Sequence, residues 1–318
     1  MCPFLIYICL AINPIGMREI YILCAWWSRP AITRLHVWSV NRFILSAPSN
    51  YRIKYVAVIS PEDPHREELL EIASGLDVVM ASNEYLGAKH NAGVKHILRR
   101  IHKGGYLMNI GSDDLIDPAY WDQIDALWGK DMFGMSSLYI TDEAQTYILR
   151  VNCYMIGAGR FLLADKIRHI RNFLHLELYE EEKQRGLDGS SAGRMAMAGA
   201  EYSTLDDDHA YILDIKTATN INKMSTFSRL KTTLPADRKE IAHFYPDDYQ
   251  IPSGAHKALQ KIPSSKPIHT GMRVNVYADG RIYTVTIGKI DWEKQIITAR
   301  CNFSHLNGLM FNFKELFE

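Results

Sequence analysis

The chain has 318 residues, enough for one large domain or for a large and a small one. Its composition, 47% hydrophobic, 11% aromatic and 23% charged, excludes a mainly disordered chain. Thirty-six basic side chains balance 36 acidic ones, so no global field draws in nucleic acid or an anionic membrane, and only a local basic groove keeps nucleic acid open as a partner.

Residues 1–16 are an N-terminal extension. Their apolar run, MCPFLIYICLAI, is too short to span a bilayer, and no basic residue precedes Arg18 to supply the positive end of a secretory signal. The segment is either an extra element covering the core or lies upstream of a start at Met17. No transmembrane segment is expected. The five cysteines, Cys2, Cys9, Cys24, Cys153 and Cys301, are scattered and contain no C-x-x-C pair, which points to reduced thiols and a cytoplasmic location.

IYILCAWW (20–27) is a continuous apolar run ending at Ser28-Arg29-Pro30, the pattern of a buried strand feeding a helix, here 31–45. A second buried strand, IKYVAVIS (53–60), turns through PEDP into a helix at 65–74, and DVVMAS (77–82) is a third strand. Residues 87–104 read as a loop entering a basic helix that ends in Arg99, Arg100, His102 and Lys103. YLMNIG (106–111) is a fourth strand that runs into Ser112-Asp113-Asp114. Alternation at this spacing predicts parallel βαβ units, hence a doubly wound, mostly parallel α/β sheet with its ligand site beyond the carboxyl ends of the strands.

Further on, 119–128 reads as a helix, 132–142 and 146–156 as a strand pair, 163–186 as the start of a long charged helix, 191–201 as another helix and 210–215 as a strand. The first domain is therefore placed at 17–229. Residues 230–269 read as a connector, and 270–318 as a small β-barrel or β-meander with a hairpin turn at Asp279-Gly280.

Adjacent carboxylates directly after a buried strand, Asp113 and Asp114, suit a hard divalent cation that neutralises a diphosphate; Ser112 or Asp113 capping a helix at Pro118 is the structural alternative. Four motifs in order, WSRP (27–30), SPED (60–63), GAKHNAG (87–93) and GSDD (111–114), resemble those of the family 2 glycosyltransferases, which have the GT-A fold. The resemblance covers residues 17–125. It implies transfer of a sugar from a nucleotide-diphosphate donor to a glycan or other hydroxyl-bearing acceptor, with inversion and with Mn²⁺ or Mg²⁺. It places Trp27, Arg29, Pro30, Glu62, Asp63, Lys89, Asn91, Ser112 and Asp114 around the donor and Asp113 on the metal. Gly111 stands where the family carries the first acid of its metal motif.

An inverting transfer needs a base for the acceptor proton. Asp188, in the small-residue segment GLDGSSAG, is the candidate, with N-capping of the following helix as its alternative. Glu181 and Glu182 compete from within the charged helix. Gly159 and Arg160, after a strand, are candidates for the acceptor side. Asp206-Asp207-Asp208-His209 is either a second metal cluster or a solvated loop. Against the enzyme stands a different class of reading, a catalytically degenerate α/β module that binds nucleic acid or protein.

Overall fold

The computed structural model describes residues 16–143, 145, 148–153, 156–204, 209–217, 233–247, 249, 270–278, 281–291, 296–300 and 310–312. Its centre is a seven-stranded sheet. Strands β1 (Arg18–Ala25), β2 (Tyr51–Ile59), β3 (Asp77–Met80) and β4 (Tyr106–Asn109) are parallel and lie in the order β3-β2-β1-β4. Beyond β4 come β9 (Arg160–Leu163), antiparallel to it, then β6 (Met132–Phe133) and β10 (Tyr202–Ser203).

The period of two along β1 divides the core. Ile20, Ile22 and Cys24 face one side, where α1 (Pro30–Leu45), α2 (Arg66–Ile72) and α4 (Tyr120–Leu127) contribute Phe43, Leu69 and Ile124. Tyr21 and Leu23 face the other side, against Val94 and Ile97 of α3 (Leu86–Leu98), Ile167 and Ile170 of α5 (Ala164–Phe173) and Met195 of α6 (Leu187–Met197). This is the doubly wound, mostly parallel α/β fold expected from the sequence.

A second sheet has the order β12-β8-β7-β11-β5, formed by β5 (Asp114–Ile116), β7 (Ser137–Asp142), β8 (Ile148–Asn152), β11 (Ile212–Lys216) and β12 (Thr233–Pro235). It contains the expected strand pair, β7 with β8. After β12 come a short helix, α7 (Arg238–Ile241), and a 3-10 turn (Ala242–Phe244), whose Ile241 and Phe244 are buried with Leu115 and Leu213. In the C-terminal region, β13 (Arg273–Ala278), β14 (Arg281–Asp291), β15 (Ile296–Arg300) and β16 (Met310–Asn312) form an antiparallel meander. The expected hairpin turn at 279–280 lies outside the described residues, as do 1–15. No described helix is long and apolar enough to cross a membrane.

Several boundaries differ from the expectations. The stretch expected as a connector, 230–269, supplies β12 to the second sheet and Ile241 and Phe244 to its core. GAKHNAG is not a loop but the body of α3, because its glycines serve close packing. A Cβ at Gly93 would sit 2.3 Å from Leu23 Cδ1, and one at Gly87 only 2.0 Å from the Glu180 carbonyl oxygen. The charged helix stops at Phe173, so Glu181 and Glu182 lie in the segment between α5 and α6, not in a helix. That segment is held from α3: Gly87 N and Ala88 N donate to the Lys183 and Glu181 carbonyls, and the Asn91 side chain donates to Tyr179 O and accepts from Tyr179 N. Finally, α6 begins at Leu187 with Gly186 as its N-cap, so Asp188 sits inside the first turn rather than in a loop or at the cap.

Gly87→Ala tests this seating. With the segment docked as described, the new methyl meets backbone and stability falls by about 1–3 kcal/mol in urea unfolding. A gain of up to about 1 kcal/mol, the helix-propensity benefit of alanine, would show that the contact is absent.

Candidate functional site

The strand order reverses between β1 and β4, and in open α/β sheets such a switch point leaves a crevice beyond the strand ends. The ends in question are Trp26–Pro30 after β1 and Gly111–Asp114 after β4. A cleft of about 480 Å³ lies there, lined among others by Trp27, Arg29, Ser112, Asp113, Asp114 and Asp188. These six were singled out from sequence. Two further lining residues, Asp214 and Lys216, were not.

The floor is acidic. One carboxylate oxygen from each of Asp113, Asp114 and Asp214 lies within 4.8 Å of the others. Asp214 arrives because β11 pairs antiparallel with β5, with Asp214 directly opposite Asp114. Gly111 leaves room here: a Cβ would lie 2.8 Å from both Asp113 Oδ1 and Asp114 Oδ2, and the Gly111 amide donates to Asp114 Oδ2 at 2.6 Å.

Burial raises the Asp114 pKa well above the ordinary carboxylate range, and the Asp214 and Asp113 charges add to this. Burial likewise pushes Asp214 up to about 6, against the pull of Lys216. The cluster therefore calls for a proton or a cation. Two cations are built in. Arg29 Nη1 donates to Asp113 Oδ2 at 2.9 Å while Nη2 donates to Ser112 Oγ at 3.0 Å, and Lys216 pairs with Asp214. Burial alone would lower both basic groups, but the aspartates outweigh it and hold them above their usual values.

Two oxygens on the lining residues, Asn109 Oδ1 and Asp214 Oδ1, are buried without a hydrogen-bond partner among the described residues. Hard carboxylate and amide oxygens with unfilled acceptor capacity fit a divalent cation of the Mg²⁺ or Mn²⁺ kind. The capping alternative for Ser112 and Asp113 is not realised. The α4 helix starts at Tyr120, and it is Asp117 Oδ1 that accepts from Ala119 N.

The other candidates divide by position. Pro30 is the first residue of α1 and Arg29 its N-cap. Asp63 is buried and accepts from Ser28 N and His65 N, both at 2.8 Å, which ties the turn after β1 to the turn after β2. Glu62 is exposed and accepts from Ser82 Oγ and Asn83 N; these bonds hold its pKa below the usual value. Lys89 is only 1% exposed, with Nζ donating to Trp26 O at 2.6 Å and to Asn83 Oδ1 at 3.0 Å, and it lies 5.5 Å from the centre of the Trp27 ring. Burial lowers it to about 8. Trp26 itself is core, its Nε1 donating to Tyr55. None of Pro30, Glu62, Asp63, Lys89 or Asn91 lines the cleft.

Asp188 stands on the wall formed by α6. Gly157 makes room for it, since a Cβ there would fall 1.9 Å from the Asp188 Cγ. Arg160, 2% exposed, does not face the cleft. It donates to Ile156 O, to Asp188 O at 2.8 Å and to Ser191 Oγ, so it anchors the turn that carries Asp188. Gly159, with φ +69, packs against Ile212, and its carbonyl accepts from Tyr120.

A buried residue of α1, not among the candidates from sequence, sets the floor. His36 Nδ1 lies 2.6 Å from Asp114 O, and its Nε2 lies 2.8 Å from Tyr55 Oη. A carbonyl only accepts, so Nδ1 carries the proton and Tyr55 donates to Nε2, while Tyr55 accepts from Trp26 Nε1. Burial lowers His36 to about 4 and keeps it neutral. Ser39, one turn on, accepts from Ile116 N and donates to Ile116 O. The sequence signal was a His and a Ser on the apolar face of an amphipathic helix.

His36→Phe keeps an aromatic ring but leaves Asp114 O and the Tyr55 hydroxyl proton without their imidazole partner, for an expected loss of about 2–4 kcal/mol at pH 7. Between its ordinary 6.5 and about 4 the unfolded chain binds a proton that the folded chain refuses. Wild-type stability therefore falls as pH drops through that window, and the gap to His36→Phe narrows. A gap that stays constant in urea unfolding at pH 7, 5.5 and 4.5 would contradict the neutral tautomer.

No protein-family model matches the sequence, and no curated protein matches it. Solved structures with some likeness include S. aureus TarS 1-349, with TM-score 0.42 and 12% identity over 62% of this chain and 60% of that one. The same fragment in complex with UDP gives TM-score 0.42 and 13% identity, covering 63% and 61%. A 4-diphosphocytidyl-2C-methyl-D-erythritol synthase gives TM-score 0.38 and 10% identity, covering 60% and 89%. This chain thus spans about 60% of the length of the TarS fragment. Likeness at this level carries no residue role into the chain.

Proposed function

We propose that the chain is a glycosyltransferase that moves a sugar from a nucleotide-diphosphate donor to an acceptor hydroxyl, with inversion. The observation that carries this reading is the convergence of Asp113, Asp114 and Asp214 at the switch point of a parallel sheet, under a cleft whose other wall bears Asp188. The ordered motifs from WSRP to GSDD are consistent with it.

In this reading Asp113 and Asp214, supported by Asp114, would hold a Mn²⁺ or Mg²⁺ ion, and Asp214 would provide the acid that Gly111 lacks. The bound ion would supply positive charge against the donor diphosphate. Arg29 and Lys216 add fixed positive charge at the same edge, where the leaving group becomes more negative as its bond to the sugar breaks. Trp27, half-buried at the rim, offers a flat apolar surface to the nucleobase.

The acceptor hydroxyl must lose its proton as it attacks the sugar from the face opposite the diphosphate. Asp188 is an exposed carboxylate on the far wall, and it takes that proton. Arg160 acts on Asp188 through the backbone of its turn and is a positioning residue. The α/β binding-module reading keeps one specific support: Arg29 and Lys216 already neutralise two of the three carboxylates.

The test is a thermal-shift screen of nucleotide-diphosphate sugars with and without Mn²⁺, followed by donor hydrolysis and transfer. A transferase releases nucleoside diphosphate in a metal-dependent way, whereas a binding module releases none. Asp113→Asn is expected to abolish turnover while leaving the melting temperature near that of the wild type. Asp188→Asn is expected to lower turnover by roughly 10²–10⁴-fold, the usual share of a general base, with donor affinity little changed. Wild-type turnover in Asp188→Asn would remove the base assignment; weakened donor binding would move Asp188 to the donor side.

A further inference from the structure

Away from the cleft, at the opposite end of β5 from Asp114, a second set of metal-binding side chains meets. Asp117 follows β5 and is buried. His209 lies just before β11, and His243 belongs to the 3-10 turn after α7. The two imidazoles converge on one carboxylate oxygen: His209 Nε2 is 3.2 Å and His243 Nε2 3.1 Å from Asp117 Oδ2, and one ligand atom from each residue lies within 4.8 Å of the others. None of the three lines the cleft.

We propose that Asp117, His209 and His243 form a separate binding site for a divalent transition metal of the zinc type, with a further coordination position left to solvent. Geometry and donor chemistry both support it. Bonds of 2.0–2.1 Å to a tetrahedral ion put neighbouring ligand atoms roughly 3.3–3.4 Å apart, so the two measured edges are close to those of a filled site. The remaining edge, between the imidazoles, closes by small ring rotations, which the 45% and 38% side-chain exposure of His209 and His243 permits.

Two imidazoles and one carboxylate suit zinc or cobalt better than the hard cations that favour the all-oxygen cluster in the cleft. The Asp117 carboxylate presents Oδ2 to both imidazoles. Its second oxygen, Oδ1, accepts from Ala119 N and fixes the side chain. A metal here would join three segments distant in sequence, the start of α4, the lead into β11 and the turn after α7, and so stabilise the native state. Of the Asp-Asp-Asp-His run at 206–209, residues 206–208 lie outside the described residues, and His209 is the member that takes part.

The test is a titration of tag-free, full-length protein with Co²⁺, read by visible absorption, then displacement by Zn²⁺ with the melting temperature followed. In wild type and in Asp113→Asn alike, one equivalent is expected to give the intense band of a tetrahedral site, apart from any ion taken up in the cleft, and Zn²⁺ is expected to abolish the band and raise the melting temperature. His209→Ala and His243→Ala, both at exposed rings, are expected to lose the band. Their affinity should fall by more than the roughly 10–100-fold typical of losing an outer-shell partner. If either loses its native circular dichroism, His209→Gln replaces it and is read the same way. Absence of the band in wild type, or its persistence in the histidine variants, would reduce the cluster to an ion-paired network and overturn the proposal.

Discussion

The position of the acidic floor depends on hydrogen bonds from a helix that contributes no acid to it. His36 and Ser39, successive polar residues on the buried face of α1, grip β5 at Asp114 O and at both backbone groups of Ile116. β5 is only three residues long and too short to hold itself. Its register is fixed on one side by β11 and on the other by this pair, so the carboxylates follow from packing laid down by α1. The relay through Tyr55 to Trp26 extends the same constraint to the end of β1. Both edges of the crevice are thus tied through one neutral imidazole.

The molecule repeatedly uses polar side chains on backbone in order to place others. Asn91 pairs with both backbone groups of Tyr179, Lys89 closes on Trp26 O, Asp63 ties two turns together, and Arg160 secures the turn of Asp188. Each group is buried and each of these bonds is satisfied, as buried polar groups require. The result is a braced rim around a cleft in which Asn109 Oδ1 and Asp214 Oδ1 have no hydrogen-bond partner among the described residues.

The first four strands were legible because parallel strands covered on both faces are continuous apolar runs, and the helices between them carry clear periodicity. What failed was non-local. Gly87 and Gly93 resemble loop residues in sequence and are packing residues in space, a difference visible only once Glu180 and Leu23 are placed. The charged pattern beyond Phe173 continues without its helix, because the segment is claimed by α3. Of the residues lining the cleft, Asp113, Asp114 and Asp188 could be singled out from their places after a strand and in a small-residue segment, and Arg29 from the WSRP motif. Asp214 and Lys216 could not. An acid and a base at the end of an apolar strand acquire meaning only when β11 pairs with β5.

That pairing also orders events during synthesis. Arg29, Asp113 and Asp114 all belong to the first half of the chain, whereas Asp214 and Lys216 emerge from the ribosome much later. Domains fold largely as they are made, and contacts between distant segments form late. A chain that stops short of β11 therefore lacks Asp214 and Lys216, two of the five charged groups of the floor, and the three-carboxylate cluster requires β11 to pair with β5.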